Sequence, residues 1–269
     1  MHGNYSYTTL VEIDKHRPVE LEPLSDMVGS CNGLVCFSVR RKFTIACDPI
    51  YICNPMTEEY VYLPTFNYDK PYNDAAEAGC FDCGFGYHHY KDEYKVVRIH
   101  RVFVDFKRQS QKVQVYTLGS GHGWRDKGSI DHLLASDNGV CANGAIHWVE
   151  YRKNKIVAFD LADEEFRLIP LPPHLPQTSQ YNEFDTISLK LLGCQLCVVH
   201  LDIGKVEDVI HIWALEKKKT FSSTDMKGWY DQFDDKWRRK KKFSIPCTKG
   251  EIYIYVVCSY KEKSSSNVV

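Results

Sequence analysis

Apolar and polar positions alternate along much of this chain with the period of two that a half-buried β-strand imposes. Residues 113–118 (Val-Gln-Val-Tyr-Thr-Leu) show the alternation directly, and 156–161 and 210–215 are β-branched and aromatic runs of strand length. No long stretch carries the 3.6-residue period of an amphipathic helix. The strand-like runs are punctuated by Asn32-Gly33, Asn54-Pro55, Asn138-Gly139, Asn143-Gly144 and Leu171-Pro172-Pro173. Asn-Gly tolerates the positive φ angles of tight hairpin turns, so these pairs read as chain reversals. The pattern predicts an all-β protein.

Two landmarks recur. A glycine turn leading into an apolar strand is read at Asn32-Gly33-Leu34-Val35-Cys36, Gly84-Phe85-Gly86-Tyr87, Asn143-Gly144-Ala145-Ile146 and Gly193-Cys194-Gln195-Leu196, with glycine-to-glycine steps of 51, 60 and 49 residues. Each is followed by a β-branched and aromatic strand, at 50–53, 113–118, 156–161 and 210–215, and two of these run on into Leu-Pro stops near Leu63-Pro64 and Leu171-Pro172. A period of roughly 50 residues with about four short strands per unit is that of kelch-type β-propeller blades. A large β-sandwich with coincidental spacing is the competing architecture. Trp148, Trp213, Tyr94 and Phe159 are expected to fill the space between neighbouring blades, since large aromatics dominate burial.

Composition narrows the classes. At 269 residues with 43% apolar content the chain can bury a large core as one all-β domain. Lys+Arg (34) and Asp+Glu (35) nearly cancel, which gives no chain-wide argument for nucleic acid or an anionic membrane as partner. The first residues show neither a basic start nor an apolar segment of secretory type, and no apolar stretch approaches the ~20 residues of a membrane helix. Eleven cysteines without a secretory signal suit reduced thiols, hence a cytoplasmic and/or nuclear location.

Read in order, the motifs resemble the plant F-box-associated domain, the kelch-like region downstream of the F-box in F-box and S-locus F-box-like proteins. The resemblance runs through Gly29-Ser30-Cys31-Asn32-Gly33-Leu34-Val35-Cys36, Cys53-Asn54-Pro55-Met56-Thr57-Glu58-Glu59-Tyr60, Gly84-Phe85-Gly86-Tyr87 and Asp92-Glu93-Tyr94-Lys95-Val96-Val97-Arg98. It continues through Trp124-Arg125, Asn143-Gly144-Ala145-Ile146-His147-Trp148, Phe159-Asp160-Leu161, Ile212-Trp213 and Phe243-Ser244-Ile245. Each motif alone is weak; their order across residues 28–245 is specific. The resemblance implies one F-box-associated, β-propeller-like domain over residues 1–260 and a polar tail at 261–269. It also implies a substrate-recognition role in an SCF-type E3 ubiquitin ligase, with a target protein for ubiquitination as partner.

Three departures qualify that expectation. Residues 1–28 lack the helical, leucine- and proline-rich pattern of an F-box, so a Skp-type adaptor would bind only through an F-box carried elsewhere. After Phe243-Ser244-Ile245 the C-terminal end is short, leaving the propeller incomplete there. Leu215 and Trp237 are 22 positions apart, an insertion holding Trp229, Tyr230 and Phe233. Those three aromatics, in a segment otherwise rich in Lys, Asp and Ser, are expected on an exposed loop and are the candidate partner-binding residues. The alternatives are a truncated F-box-derived paralogue that binds a partner outside any ligase, and a kelch-like propeller enzyme.

Other chemistry is weaker. Cys80, Cys83, Cys194 and Cys197 form two C-x-x-C pairs, but 110 residues separate them and Cys194 and Cys197 would point to opposite faces of a strand. They read as structural cysteines. His88-His89 reads as a solvent-facing turn, the Gly119–Gly123 stretch as a flexible turn, and the basic run 236–242 as a solvated loop rather than a nuclear address or an anion patch. No catalytic, cofactor-binding or metal-binding residues are assigned.

Overall fold

The computed structural model describes residues 25–40, 47–65, 80–104, 107–134, 138–150, 155–173, 175, 186–203, 207–217 and 233–246. Among them are sixteen strands and no helix, arranged as four four-stranded sheets. Blade 1 holds β1 (Ser25–Cys31), β2 (Leu34–Arg40), β3 (Cys47–Cys53) and β4 (Tyr60–Tyr62). Blade 2 holds β5 (Cys80–His88), β6 (Glu93–Val104), β7 (Lys107–Thr117) and β8 (Trp124–Ser129). Blade 3 holds β9 (Val140–Ala142), β10 (Ala145–Glu150), β11 (Lys155–Asp160) and β12 (Phe166–Pro170). Blade 4 holds β13 (Thr186–Leu192), β14 (Gln195–Ile203), β15 (Glu207–Lys217) and β16 (Phe233–Pro246). In each sheet the strands lie side by side in chain order, the meander of a β-propeller blade.

Three first hairpins have the same origin. Cys31 pairs with Leu34, Ala142 with Ala145 and Leu192 with Gln195, leaving two residues to reverse the chain. Both turn residues have positive φ: 45° and 85° at Asn32-Gly33, 53° and 86° at Asn143-Gly144, 55° and 61° at Gly193-Cys194. These values match the turn whose twist suits the flanking strands, and they explain the Asn-Gly pairs. The four β-branched and aromatic runs at 50–53, 113–118, 156–161 and 210–215 fall in β3, β7, β11 and β15, the third strand of every blade.

Two glycine readings are corrected. Gly84-Phe85-Gly86-Tyr87 is not a turn but the interior of β5, and Asn138-Gly139 leads straight into β9. Close approach, not turn geometry, selects glycine at both places. A Cβ on Gly86 would sit 2.8 Å from Leu161 Cδ1 and 2.9 Å from Cys141 Sγ, and one on Gly139 would sit 2.5 Å from both Ile146 Cγ2 and the Trp148 ring.

The strands form two compact units, Met1–Phe85 with Val96–Asp131, and Gly86–Lys95 with His132–Val269. In the second unit, one core joins blades 3 and 4. Small residues Ala142, Ala145 and Ala158 of blade 3 leave room for Leu189, Leu196 and Trp213 of blade 4. Trp213 thus fills the inter-blade space expected of it. Trp148 and Phe159 are buried in blade 3, where Phe159 packs on Phe166 at 4.9 Å. Tyr94 is only half-buried and packs its ring, tilted by 44°, against Tyr87 at 4.7 Å instead. The insertion lies between β15 and β16, and its ends are brought together because Leu215 pairs with Trp237. Residues 218–232, and residues 247–269 on which the shortened C-terminal end was read, lie outside the described residues.

Burial also fixes proton states. His147 is fully buried in β10, its Nδ1–H donating to the Val140 carbonyl at 3.1 Å, and burial pushes its pKa down to about 4. His100 in β6 is lowered to about 4 by burial and by Arg98 and Lys112. The unfolded chain binds protons at these histidines near pH 6.5 while the folded one resists, so stability is lost as pH falls from about 6.5 toward 4. Denaturation midpoints measured across that range should fall with pH, and His147→Asn should flatten part of the slope. Gly139→Ala overpacks the Ile146–Trp148 contact and should cost about 1–3 kcal/mol in the same assay.

Candidate functional site

A lysine in the middle of a buried strand is the first departure from plain architecture. Lys95 follows Tyr94 and precedes Val96-Val97 in β6, and its side chain is 3% exposed. Its Nζ donates to the Leu161 carbonyl at 2.8 Å and to Glu164 Oε1 at 2.9 Å, with Glu93 Oε2 at 3.2 Å. Lys91 Nζ, from the same hairpin, donates to the Ala162 carbonyl at 2.6 Å. Two ammonium groups therefore sit on one reverse turn, residues 160–165, between β11 and β12. A charge this buried is tolerated because carboxylates and carbonyls meet it on several sides.

The receiving turn is held by its own backbone. Asp160 N–H donates to the Glu165 carbonyl at 3.0 Å, Glu164 N–H to the Asp160 carbonyl at 3.0 Å, and Ala162 N–H to Asp160 Oδ1 at 2.7 Å. Glu164 closes the turn with φ 59°. Blade 1 repeats this turn between β3 and β4. Asn54 N–H donates to the Glu59 carbonyl at 2.8 Å, Glu58 N–H to the Asn54 carbonyl at 2.9 Å, and Met56 N–H to Asn54 Oδ1 at 2.9 Å. Glu58 has φ 64°. Asn54-Pro55-Met56-Thr57-Glu58-Glu59-Tyr60 and Asp160-Leu161-Ala162-Asp163-Glu164-Glu165-Phe166 thus correspond residue by residue in these hydrogen bonds, with Cys53–Tyr60 and Phe159–Phe166 as the flanking strand pairs.

A second device also appears twice. Trp124, first residue of β8, donates its indole N–H to the Pro64 carbonyl at 2.7 Å, and Trp237 in β16 donates to the Pro170 carbonyl at 2.8 Å. Each ties the fourth strand of one blade to the proline that ends the fourth strand of the preceding blade. Arg98 packs its guanidinium 3.8 Å over the Trp124 ring and donates through Nε to Gln114 at 2.8 Å, so the arginine is buried with its charge stacked on an aromatic face.

The family profile described as the F-box associated beta propeller domain matches residues 3–268. The chain belongs to that family. Relatives include three Arabidopsis thaliana proteins. The F-box protein At3g07870 is 29% identical over 72% of this chain and 48% of its own length, and the putative F-box protein At1g53550 is 26% identical over 87% and 56%. F-box protein CPR1 is 28% identical over 68% and 48%. The chain spans about half the length of the curated relatives it matches. All-β architecture, propeller blades and kinship with plant F-box proteins stand together.

On this F-box-associated domain the expected contact residues are not brought into one view. Trp229 and Tyr230 lie outside the described residues. Phe233 opens β16, its backbone opposite Lys217, so that residue is in a strand and not on a loop. The basic run is likewise strand: Arg238, Arg239 and Lys240 are exposed on β16, where Arg238 pairs with Glu216 and Arg239 with His211 at 2.6 Å. Consecutive exposure of 238–240 on the outer strand accounts for a basic run that is not a loop. His88 ends β5 and is buried, its Nδ1 accepting the Lys91 N–H at 3.1 Å, while His89 is exposed. Burial, then Lys91 and Lys95, lower the His88 pKa. The Gly119–Gly123 turn is held by Ser120, whose Oγ donates to the Thr117 carbonyl at 2.9 Å and accepts the His122 N–H.

The cysteines divide by environment. Cys83 and Cys197 are buried in β5 and β14, whereas Cys194 is exposed in the β13–β14 turn rather than within a strand. Burial raises the thiol pKa of Cys36, helped by Cys83, Cys31 and Cys53, and pushes that of Cys141 up to about 11, which suits packing over reactivity. No group of three or more His, Cys, Asp or Glu able to hold a metal occurs among the described residues.

Lys95 lies within a motif legible in the sequence, whereas Glu164 does not, and nothing local links the two. The available signal was a lysine inside the apolar run Tyr94-Lys95-Val96-Val97, which at strand period must either reach solvent or be paired. Removing Glu164 leaves Lys95 with Glu93 and the Leu161 carbonyl, so Glu164→Gln should destabilise the protein by less than the ~3 kcal/mol of a fully unpaired buried charge. Equilibrium unfolding checks this, and the Lys95→Met/Glu164→Gln double variant should lose less than the sum of the singles.

Proposed function

We propose that this chain is the substrate-recognition part of an F-box protein acting in an SCF-type E3 ubiquitin ligase. It holds a target protein for ubiquitination, while a Skp-type adaptor is gripped by an F-box carried elsewhere in the polypeptide. The observation that carries this reading is the family match over residues 3–268 together with relatives, named F-box proteins, twice as long as the matched region. The architecture suits binding: exposed turns are mounted on four-stranded blades. Free thiols at seven described cysteines suit a reducing compartment, cytoplasm and/or nucleus. Binding is by protein surface, without cofactor, nucleic acid or membrane.

Trp229, Tyr230 and Phe233 are proposed as part of the target contact. Trp229 and Tyr230, in the long connection between third and fourth strands, and Phe233 at the start of β16 offer hot-spot area that blade architecture does not require, each worth ~2 kcal/mol or more once covered. Affinity capture of the full-length protein from plant tissue should recover the adaptor, a cullin, and a target that accumulates when the proteasome is inhibited. Capture of a partner without ligase subunits would overturn the ligase assignment. The Trp229→Ala/Tyr230→Ala/Phe233→Ala variant should keep its circular dichroism spectrum and lose the target; retention of every partner would remove these residues from the contact.

A further inference from the structure

The two corresponding turns differ in one respect that bears on binding. In blade 3 the turn is occupied: Lys95 takes the Leu161 carbonyl and the Glu164 carboxylate, and Lys91 takes the Ala162 carbonyl. In blade 1 the corresponding groups are the Pro55 and Met56 carbonyls and the Glu58 carboxylate, set by the same three backbone and Asx hydrogen bonds and the same positive φ at the glutamate. Here no lysine is present among the described residues. Met56 is 83% exposed, Glu58 is exposed, and Tyr60, Val61 and Tyr62 of β4 are exposed beside them.

The geometry points to the blade 1 turn as a binding site for the side-chain ammonium of a lysine on a protein partner. The chemistry is read from the occupied twin. A primary ammonium has three N–H donors, and one carboxylate oxygen with a backbone carbonyl receives two of them in blade 3. Blade 1 reproduces the backbone course that presents these acceptors, whereas Lys95 in blade 3 is delivered by β6 and also lies 3.2 Å from Glu93 Oε2. The lysine stem needs apolar cover, supplied in blade 1 by Met56 and the Tyr60–Tyr62 pair, whose rings lie 5.7 Å apart. An exposed ion pair contributes little by itself, so the site acts as one specificity point within a larger interface. This assignment does not depend on the ligase reading, since a partner of any kind could present the lysine.

The test uses the intact chain, labelled with nitrogen-15, and two small probes: Nα-acetyl-lysine methylamide and its Nε-acetylated analogue, which lacks the ammonium. The amides of residues 54–60 should shift with increasing concentration of the first probe and stay still with the second. Those of 160–166, whose turn is already filled, should not move. In Glu58→Gln, a substitution at an exposed side chain, the shifts at 54–60 should be lost. Absence of shifts at 54–60, equal shifts with both probes, or shifts that survive Glu58→Gln would overturn the assignment.

Discussion

A blade in the interior of this protein has both faces of its sheet covered, and that constraint governs which residues it can use. Blade 3 shows the consequence. In β10 and β11 adjacent residues Ala145, Ile146, His147 and Trp148, then Ile156, Val157, Ala158 and Phe159, are all buried, so the usual apolar-in, polar-out alternation is suppressed. One face meets blade 4 through alanines that admit Trp213 and Leu196, and the other carries Ile146 and Trp148 over Gly139. Several polar groups placed there are met inside the protein. His147 uses the Val140 carbonyl, Asp160 the Ala162 N–H, and Lys95 the Leu161 carbonyl and the Glu164 carboxylate.

The same constraint explains how blades are joined. Apolar packing holds sheets together but is tolerant of sliding, because it is non-directional. Directional contacts remove that freedom. The indole of Trp124 on the Pro64 carbonyl, the indole of Trp237 on the Pro170 carbonyl, and the two lysines on the 160–165 turn each set one strand end against one turn. Proline is apt at the accepting position: lacking an N–H it ends the ladder, and its carbonyl is left to receive a donor from the following blade.

How far the sequence could be read follows from the range of each cause. Hairpin reversals at Asn32-Gly33 and Asn143-Gly144 depend on two adjacent residues and were legible, as were the four third strands, whose β-branched runs are local. Gly86 and Gly139 were misread as turn residues because what selects glycine there is a side chain distant in sequence, Leu161 for one and Trp148 for the other. The strand character of the basic run in β16 was hidden for a similar reason. Its place is set by pairing with β15 across a long insertion, and charge-rich composition at an exposed edge carries no trace of that pairing. Candidate contact residues were the least legible, since only part of the aromatic segment falls in β16 and composition alone nominated it.

Repetition is what separates structural from binding roles here. When one local sequence appears twice in a fold, the copy engaged within the chain reveals what the geometry can hold, and the copy facing solvent is free to use it on something else. Asn54–Tyr60 and Asp160–Phe166 are such a pair: three corresponding backbone and Asx hydrogen bonds, glutamate at the same left-handed position, lysines on one copy and solvent on the other. Losing its glutamate would leave the blade 3 copy's Lys95 with only Glu93 and the Leu161 carbonyl. Glu58 in blade 1 carries no such internal duty among the described residues, yet it holds φ 64° in a conformation that costs a side-chain-bearing residue more than it costs glycine.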